Sequence, residues 1–312
     1  MVFTMSSIYT TKLTDQIKVS IGLPVFNGEK FLQKCLDSLL VQTFENFELI
    51  ISDNASTDKT SQICEDYSRK DDRIRYIRQK NNIGMIQNFN FVLQEAKYEY
   101  FMWIGSDDYV LPNFLKKNIE ILMLNEHVVG SISKIDRFGM DFNSNAIDST
   151  FANLIKKIRL RFRSRDTLSL YGTYEERVRS FLKRSTCQII YGVFRTNQLR
   201  KSIIYEPFVG IDWAEILSVL KYGNFHVVDE VLMYIYEGGA STKGMINISV
   251  NYNPNFLGVI FPWYHLTSRS IKILGRKIFL KNLDVFIRLN CEGVFSQIID
   301  LIRIITHKLL RK

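Results

Sequence analysis

The sequence predicts an α/β protein whose core is a doubly wound, mostly parallel sheet flanked by helices. Three observations point there. Apolar segments with strand and helix periodicity alternate four times within about the first 110 residues. Asn27, Asp53 and the pair Asp107 and Asp108 each follow the carboxyl end of a predicted strand, the edge at which open α/β sheets bind ligands. Neither GxGxxG nor GxxxxGKS/T occurs, which argues against a dinucleotide fold and against a P-loop.

Lys18 to Phe26 alternates and is β-branched enough for a first strand, broken by Pro24 and the turn at Asn27-Gly28. Phe31, Leu32, Cys35, Leu36, Leu39 and Leu40 then recur at helical spacing to about Gln42. A second strand over 47–52 ends at Asp53, and Ser56 or Thr57 would cap a helix through Ile63, Cys64 and Tyr67. A third strand, 74–77, leads to Asn81-Asn82-Ile83-Gly84 and a helix from about Met85 to Glu95. The apolar, aromatic run that follows, Tyr100 to Ile104, reads as a buried strand closed by Gly105-Ser106-Asp107-Asp108. Two adjacent carboxylates at such a strand end suit Mg²⁺ or Mn²⁺ held with a phosphate; they would equally cap a helix starting near Pro112. Further on, Thr173 to Glu176 reads as a capping box opening a helix to about Lys183.

The chain has 312 residues, 46% of them hydrophobic, enough to bury a sizeable core, and no linker-like tract. Its net charge of +9 fits an anionic partner without choosing among nucleic acid, lipid and phosphorylated substrate. The four cysteines, Cys35, Cys64, Cys187 and Cys291, have neither zinc spacing nor the density of a disulfide framework, so a reducing compartment is expected. Residues 1–16 read as a flexible polar arm rather than a signal peptide, and no window is apolar for the roughly 18 residues that a membrane span needs.

Four segments in register over about 90 residues carry a resemblance: Pro24-Val25-Phe26-Asn27-Gly28-Glu29, Ser52 to Asp58, Asn81 to Gly84 with Asn88, and Gly105 to Asp108. With them the chain resembles the family 2 glycosyltransferases of GT-A fold. Tyr191 to Arg195, Gly210 to Glu215, Tyr222 to Phe225 and Val231 to Tyr234 resemble the acceptor half of these enzymes, so the likeness spans about residues 17–242. The implied organisation is a GT-A domain over 17–255, with a donor half to about 125 and an acceptor half from about 126.

The resemblance implies an inverting, metal-dependent transfer from a nucleotide-diphosphate sugar to a hydroxyl of a glycan or lipid-linked saccharide, in cell-surface polysaccharide or glycoconjugate synthesis. Pro24, Phe26, Asn27 and Asp53 would hold the base, with Asp53 accepting from a ring N–H; uracil or thymine suits that edge, which favours UDP- or dTDP-sugars. Asn54, Asn82, Gly84 and Asn88 would complete the donor site, and Asp107 and Asp108 would hold the ribose and a divalent metal (Mg²⁺ or Mn²⁺). Relatives often carry another Asp where this chain has Gly105, which leaves fewer carboxylates for that metal. Asp212 occupies the place of the general base, and its residue type also suits an N-cap for a helix from Trp213 to Tyr222. Glu237 to Thr242 has the small residues of a loop that closes over a diphosphate, with Gly239, Ser241 and Lys243 as candidate contacts; relatives carry Arg or His where Glu237 stands.

The run Lys156 to Arg165 alternates basic and apolar residues, as expected either of a solvated loop or of a contact with an anionic membrane or a lipid pyrophosphate. Residues 256–312 hold ten Lys/Arg against three Asp/Glu among apolar positions at helical spacing. They are expected to form amphipathic helices that lie on an acidic membrane or pack on the catalytic domain. The overall expectation is a cytoplasmic enzyme, peripheral on the inner membrane face, that does not bind nucleic acid. A nucleotidyltransferase and a non-catalytic basic docking protein for membrane or nucleic acid are the alternatives.

Overall fold

The computed structural model describes residues 17–139, 167–238 and 244–309. The expected N-terminal arm, the basic run Lys156 to Arg165, and Gly239, Ser241 and Lys243 lie outside the described residues. Strands β1 (Val19–Val25), β2 (Phe47–Asp53), β3 (Ile74–Arg78) and β4 (Tyr100–Trp103) alternate with helices α1 (Leu32–Leu40), α2 (Thr60–Ser68) and α3 (Met85–Gln94). They pair in parallel in the order β3-β2-β1-β4, with Val25 opposite Asp53 and Gly22 opposite Trp103. β1 and β2 are buried at every position, as expected of central strands covered on both faces.

β1 runs through Pro24 instead of breaking there. Gly22 O accepts from Ile104 N at 3.0 Å, so residues of that parity face β4. β4 has ended at Trp103 by the level of Pro24, and the missing proline N–H costs no ladder bond.

After β5 (Tyr109–Val110) and α4 (Phe114–Leu124) the sheet becomes mixed. β7 (Val193–Arg195) lies antiparallel to both β4 and β6 (Val128–Phe138), while β6 pairs in parallel with β8 (Asn224–Tyr236) and β8 pairs antiparallel with β5. The eight-stranded order is β3-β2-β1-β4-β7-β6-β8-β5. Between β6 and β7 come α5 (Tyr174–Arg184) and a 3₁₀ turn (Cys187–Tyr191). The expected capping box opens α5: Thr173 N donates to Glu176 Oε2 at 2.7 Å, and Glu176 N donates to Thr173 Oγ1.

α6 (Thr196–Arg200) and α7 (Ile211–Val219) precede β8; α8 (Met245–Tyr252), α9 (Phe256–Ile260), α10 (Tyr264–Lys281, kinked at Gly275) and α11 (Leu283–Leu309) follow it. The last helices contribute Leu266, Leu274, Phe279, Val285, Phe286 and Leu289 to the main core. Trp263, just before α10, meets Trp213 of α7 edge-on at 5.9 Å, and Trp213 in turn packs on Phe181 of α5 at 5.1 Å. The C-terminal helices therefore pack on the main core along one face and brace α7.

Candidate active site

The loops after β1 and β2 grip one another. Asn27 adopts a left-handed backbone, φ 51°, which Asn tolerates better than most residues. Its N–H donates to Ser56 Oγ at 2.9 Å, and its Oδ1 accepts from Thr57 N at 2.9 Å. Gly28 N donates to Thr60 Oγ1 at 2.8 Å. Ser56, Thr57 and Thr60 thus fasten the β1 loop, and the helix-capping role expected of Ser56 or Thr57 is not what they perform. α2 starts at Thr60, whose N–H goes to Asp58 Oδ1 at 3.0 Å.

Asp53 is fully buried: Oδ1 accepts from Ser56 N at 2.8 Å, Oδ2 accepts from Tyr76 OH at 3.0 Å, and the Arg78 guanidinium stands 3.9 Å away. Each carboxylate oxygen retains acceptor capacity beyond these bonds. Asn54 Oδ1 accepts from Ile83 N at 2.8 Å, its Nδ2 donates to Asn82 Oδ1, and Asn82 Oδ1 also accepts from Gly84 N. Asn88 is buried beneath them, exchanging bonds with the Ser52 hydroxyl at 2.6 Å and carbonyl at 2.9 Å. Pro24, Phe26, Asn27, Asp53, Asn54, Asn82, Gly84 and Asn88 thus come to one sheet edge, with Phe26 and Asn82 exposed and Asp53, Asn54 and Asn88 supporting from below.

Asp107 and Asp108 fold back over Gly105. A methyl group on Gly105 would stand 2.9 Å from Asp107 Oδ1 and 2.8 Å from Asp108 Oδ2, so the two oxygens converge on the space that glycine leaves. Asp108 is 5% exposed, and its Oδ1 accepts from Tyr236 N on β8 at 2.9 Å. Burial, with the Asp107 charge beside it, pushes the Asp108 carboxyl up to about 8; burial raises Asp107 as well. The pair therefore suits a divalent cation, whose charge would offset both the desolvation and the repulsion. Among the described residues no three His, Cys, Asp or Glu side chains gather as a metal site. Two carboxylates with open positions match Mg²⁺-like binding completed by phosphate oxygens and water rather than a closed protein cage.

Asp212 sits in the first turn of α7, behind the left-handed Gly210 (φ 89°). The N-cap position belongs to Gly210, so the capping role expected of Asp212 is not observed. Asp212 Oδ1 accepts from Trp213 N at 2.9 Å, and the Cys187 thiol donates to the same carboxylate. Burial raises the Asp212 carboxyl above the usual aspartate range. Burial, with the charges of Asp108, Asp212 and Asp107, raises the Tyr191 hydroxyl well above an ordinary phenol.

Tyr76, Tyr191, Cys187 and Tyr236 are site residues that sequence reasoning missed. Tyr76 had a signal: one strand over, in register with Ile51, it stands within reach of Asp53. Tyr236 acts through a backbone N–H, which no residue type betrays. Beside it, Tyr109 and Tyr234 stack at 4.8 Å, Phe138 meets Tyr109 edge-on at 5.1 Å, and Lys34 Nζ lies 3.5 Å from the centre of the Tyr109 ring.

The profile of glycosyl transferase family 2 matches residues 20–185, more than half of the sequence. The chain belongs to that family. Over 98 residues it is 36% identical to the glycosyltransferase GlyG of Streptococcus pneumoniae, covering 31% of this chain and 33% of GlyG. Over 92 residues it is 39% identical to the uncharacterised glycosyltransferase EpsJ of Bacillus subtilis, covering 30% of this chain and 26% of EpsJ. The matched part is thus a third or less of each relative's length. Among solved structures, residues 1–349 of S. aureus TarS in complex with UDP-GlcNAc superpose with a TM-score of 0.55 at 20% identity, covering 89% of this chain and 82% of that one. The mannosyltransferase PcManGT of Pyrobaculum calidifontis, in complex with GDP-Man and Mn²⁺, gives 0.56 at 13% identity, covering 94% and 79%. At these identities the likeness is one of fold, and this family 2 glycosyltransferase has the GT-A architecture.

Proposed function

We propose that this glycosyltransferase moves a sugar from a nucleotide-diphosphate donor, UDP- or dTDP-linked, to a hydroxyl of a glycan or lipid-linked saccharide, with inversion at the anomeric carbon. The observation that carries the reading is the convergence of Asp107 Oδ1 and Asp108 Oδ2 on the space that Gly105 leaves at the sheet's ligand edge, with Asp108 held by Tyr236 N; Asp212 is the second acidic group, buried at the start of α7. Leaving-group stabilisation and proton removal need two separate acidic centres.

Asn27, Phe26 and the backbone from Pro24 would receive the base, backed by Asp53, Asn54, Asn82, Gly84 and Asn88; Asp107 would take the ribose. Asp107 and Asp108 would hold the divalent metal, which when bound supplies Lewis-acid compensation for the departing diphosphate. TarS and PcManGT, crystallised with UDP-GlcNAc and with GDP-Man and Mn²⁺, favour this assignment. Asp212 would take the acceptor proton; burial brings its affinity for protons closer to that of its working pH than an exposed aspartate would have, and the Cys187 thiol and Trp213 N–H hold its orientation. Gly239, Ser241 and Lys243 are the proposed loop contacts to phosphate.

Asp212→Asn tests the base. Donor affinity measured by calorimetry should stay within about twofold, while transfer falls by about 10²- to 10⁴-fold; near-normal turnover would remove Asp212 from the mechanism. Because the base acts ionised and its carboxyl is raised, the acid limb of the wild-type pH profile should lie above the ordinary aspartate value of about 4.

The acceptor reading includes an acidic membrane surface. On α11, Ile287, Cys291, Phe295, Ile298, Ile302 and Ile305 form one exposed stripe at helical spacing, and Phe256 on α9 is 74% exposed. The segment's ten basic residues against three acidic ones complement anionic headgroups. No helix among the described residues is long and apolar enough to cross a bilayer, so contact would be interfacial.

A further inference from the structure

Arg137 is the penultimate residue of β6, and Glu237 follows the last residue of the neighbouring β8. The parallel register sets Phe138 opposite Tyr236, and Glu237 N donates to Phe138 O at 2.9 Å, so the two charged side chains leave the sheet together. Arg137 Nε stands 3.0 Å from Glu237 Oε1, and its Nη2 donates to Gln188 Oε1 at 2.7 Å.

Both anchors lead into the site. Glu237 directly follows Tyr236, whose N–H holds Asp108. Gln188 directly follows Cys187, whose thiol holds Asp212. The guanidinium is thus tethered one residue from the support of each acidic centre, while its side chain remains 36% exposed against 17% for Glu237. Among the described residues its partners take two of the five N–H donors of a guanidinium, leaving part of the fork for a ligand. A planar, permanently charged fork beside a cluster of carboxylates matches a phosphate oxyanion, which the carboxylates alone would repel.

We propose that Arg137 is a phosphate-binding residue of the donor site: its free N–H edge grips the diphosphate, while Glu237 and Gln188 fix the guanidinium plane. This rests on the reading of the chain as a nucleotide-sugar transferase. Glu237 and Gln188 are positioning residues in this arrangement and do not themselves touch the phosphate. A cation held by Asp107 and Asp108 would serve the same diphosphate, and the contact to Arg137 is non-covalent.

The test is calorimetric titration of the full chain with UDP and with UMP in Mn²⁺. Arg137→Ala should lower UDP affinity about 10- to 100-fold, the loss expected of a charge-assisted contact, and leave UMP affinity within about twofold. Arg137→Lys should recover part of the loss by restoring charge without the fork, and Glu237→Gln should weaken UDP several-fold by freeing the guanidinium plane. UDP affinity unchanged in Arg137→Ala would overturn the proposal, as would equal losses for UDP and UMP, which mark a structural defect. Wild-type protein that binds neither UDP nor any other nucleoside diphosphate would refute the donor reading itself and this inference with it.

Discussion

At the residue scale, the site depends on a side chain that is missing. Gly105 leaves room for Asp107 and Asp108 to lean together, and any Cβ there lies under 3.0 Å from both carboxylates. Gly105→Ala is therefore expected to spread the pair and cut Mn²⁺-dependent UDP binding about tenfold or more, with metal-independent binding spared. Equal binding by calorimetry would show that the pair does not act as a unit. Glu215, one turn beyond Asp212, is buried; its Oε1 accepts from Ile204 N at 3.0 Å, and desolvation raises its carboxyl to about 8. Since the folded value lies above the unfolded one, its stabilisation is present below the ordinary value near 4.5 and fades as pH rises through about 8. Glu215→Gln keeps the acceptor and removes the titration. Its melting temperature should exceed that of wild type at pH 9 and match it near pH 5; parallel curves would contradict the assignment.

At the element scale, the C-terminal helices brace the helix that carries Asp212. Trp263 packs on Trp213, next to Asp212, and Asp300 of α11 accepts from the N–H groups of Met245 and Ile246 at the start of α8. Trp263→Ala should cost about 1 to 3 kcal/mol, less than for a fully buried tryptophan because the ring is only partly covered, and in any folded variant should lower turnover more than UDP affinity as α7 loosens. A loss of UDP affinity alone would place its effect elsewhere. The first four strands were legible in the sequence because central parallel strands read as apolar runs and each loop between them carries its own polar signature. The second half was less so. β6 ends in the charged Asp136 and Arg137 just before Phe138, which hides a strand, and β8 starts at Asn224, well before the apolar run from Val231 to Tyr236. Asp212 and the Asp107–Asp108 pair were visible as residue types, whereas Arg137 gained meaning only once the sheet set it beside Glu237 and Gln188.

At the scale of the whole molecule, the loops after β1 and β2 and the Asp107–Asp108 pair lie at the carboxyl ends of the parallel strands, while α11 leaves an apolar stripe exposed. Replacing Ile298 and Ile305 together with Glu should abolish co-sedimentation with acidic phosphatidylserine vesicles and leave UDP binding intact. Vesicle binding that survives the substitution, or a wild-type chain that instead dimerises through this stripe, would reject the membrane role. The central claim is a metal-assisted nucleotide-sugar site, and calorimetric titration with UDP, dTDP, GDP and CDP, with and without Mn²⁺, on wild type and Asp108→Ala, tests it most directly. The account predicts Mn²⁺-dependent binding of UDP or dTDP that is lost in Asp108→Ala. Binding of none of the four, or binding indifferent to both Mn²⁺ and the substitution, would contradict it.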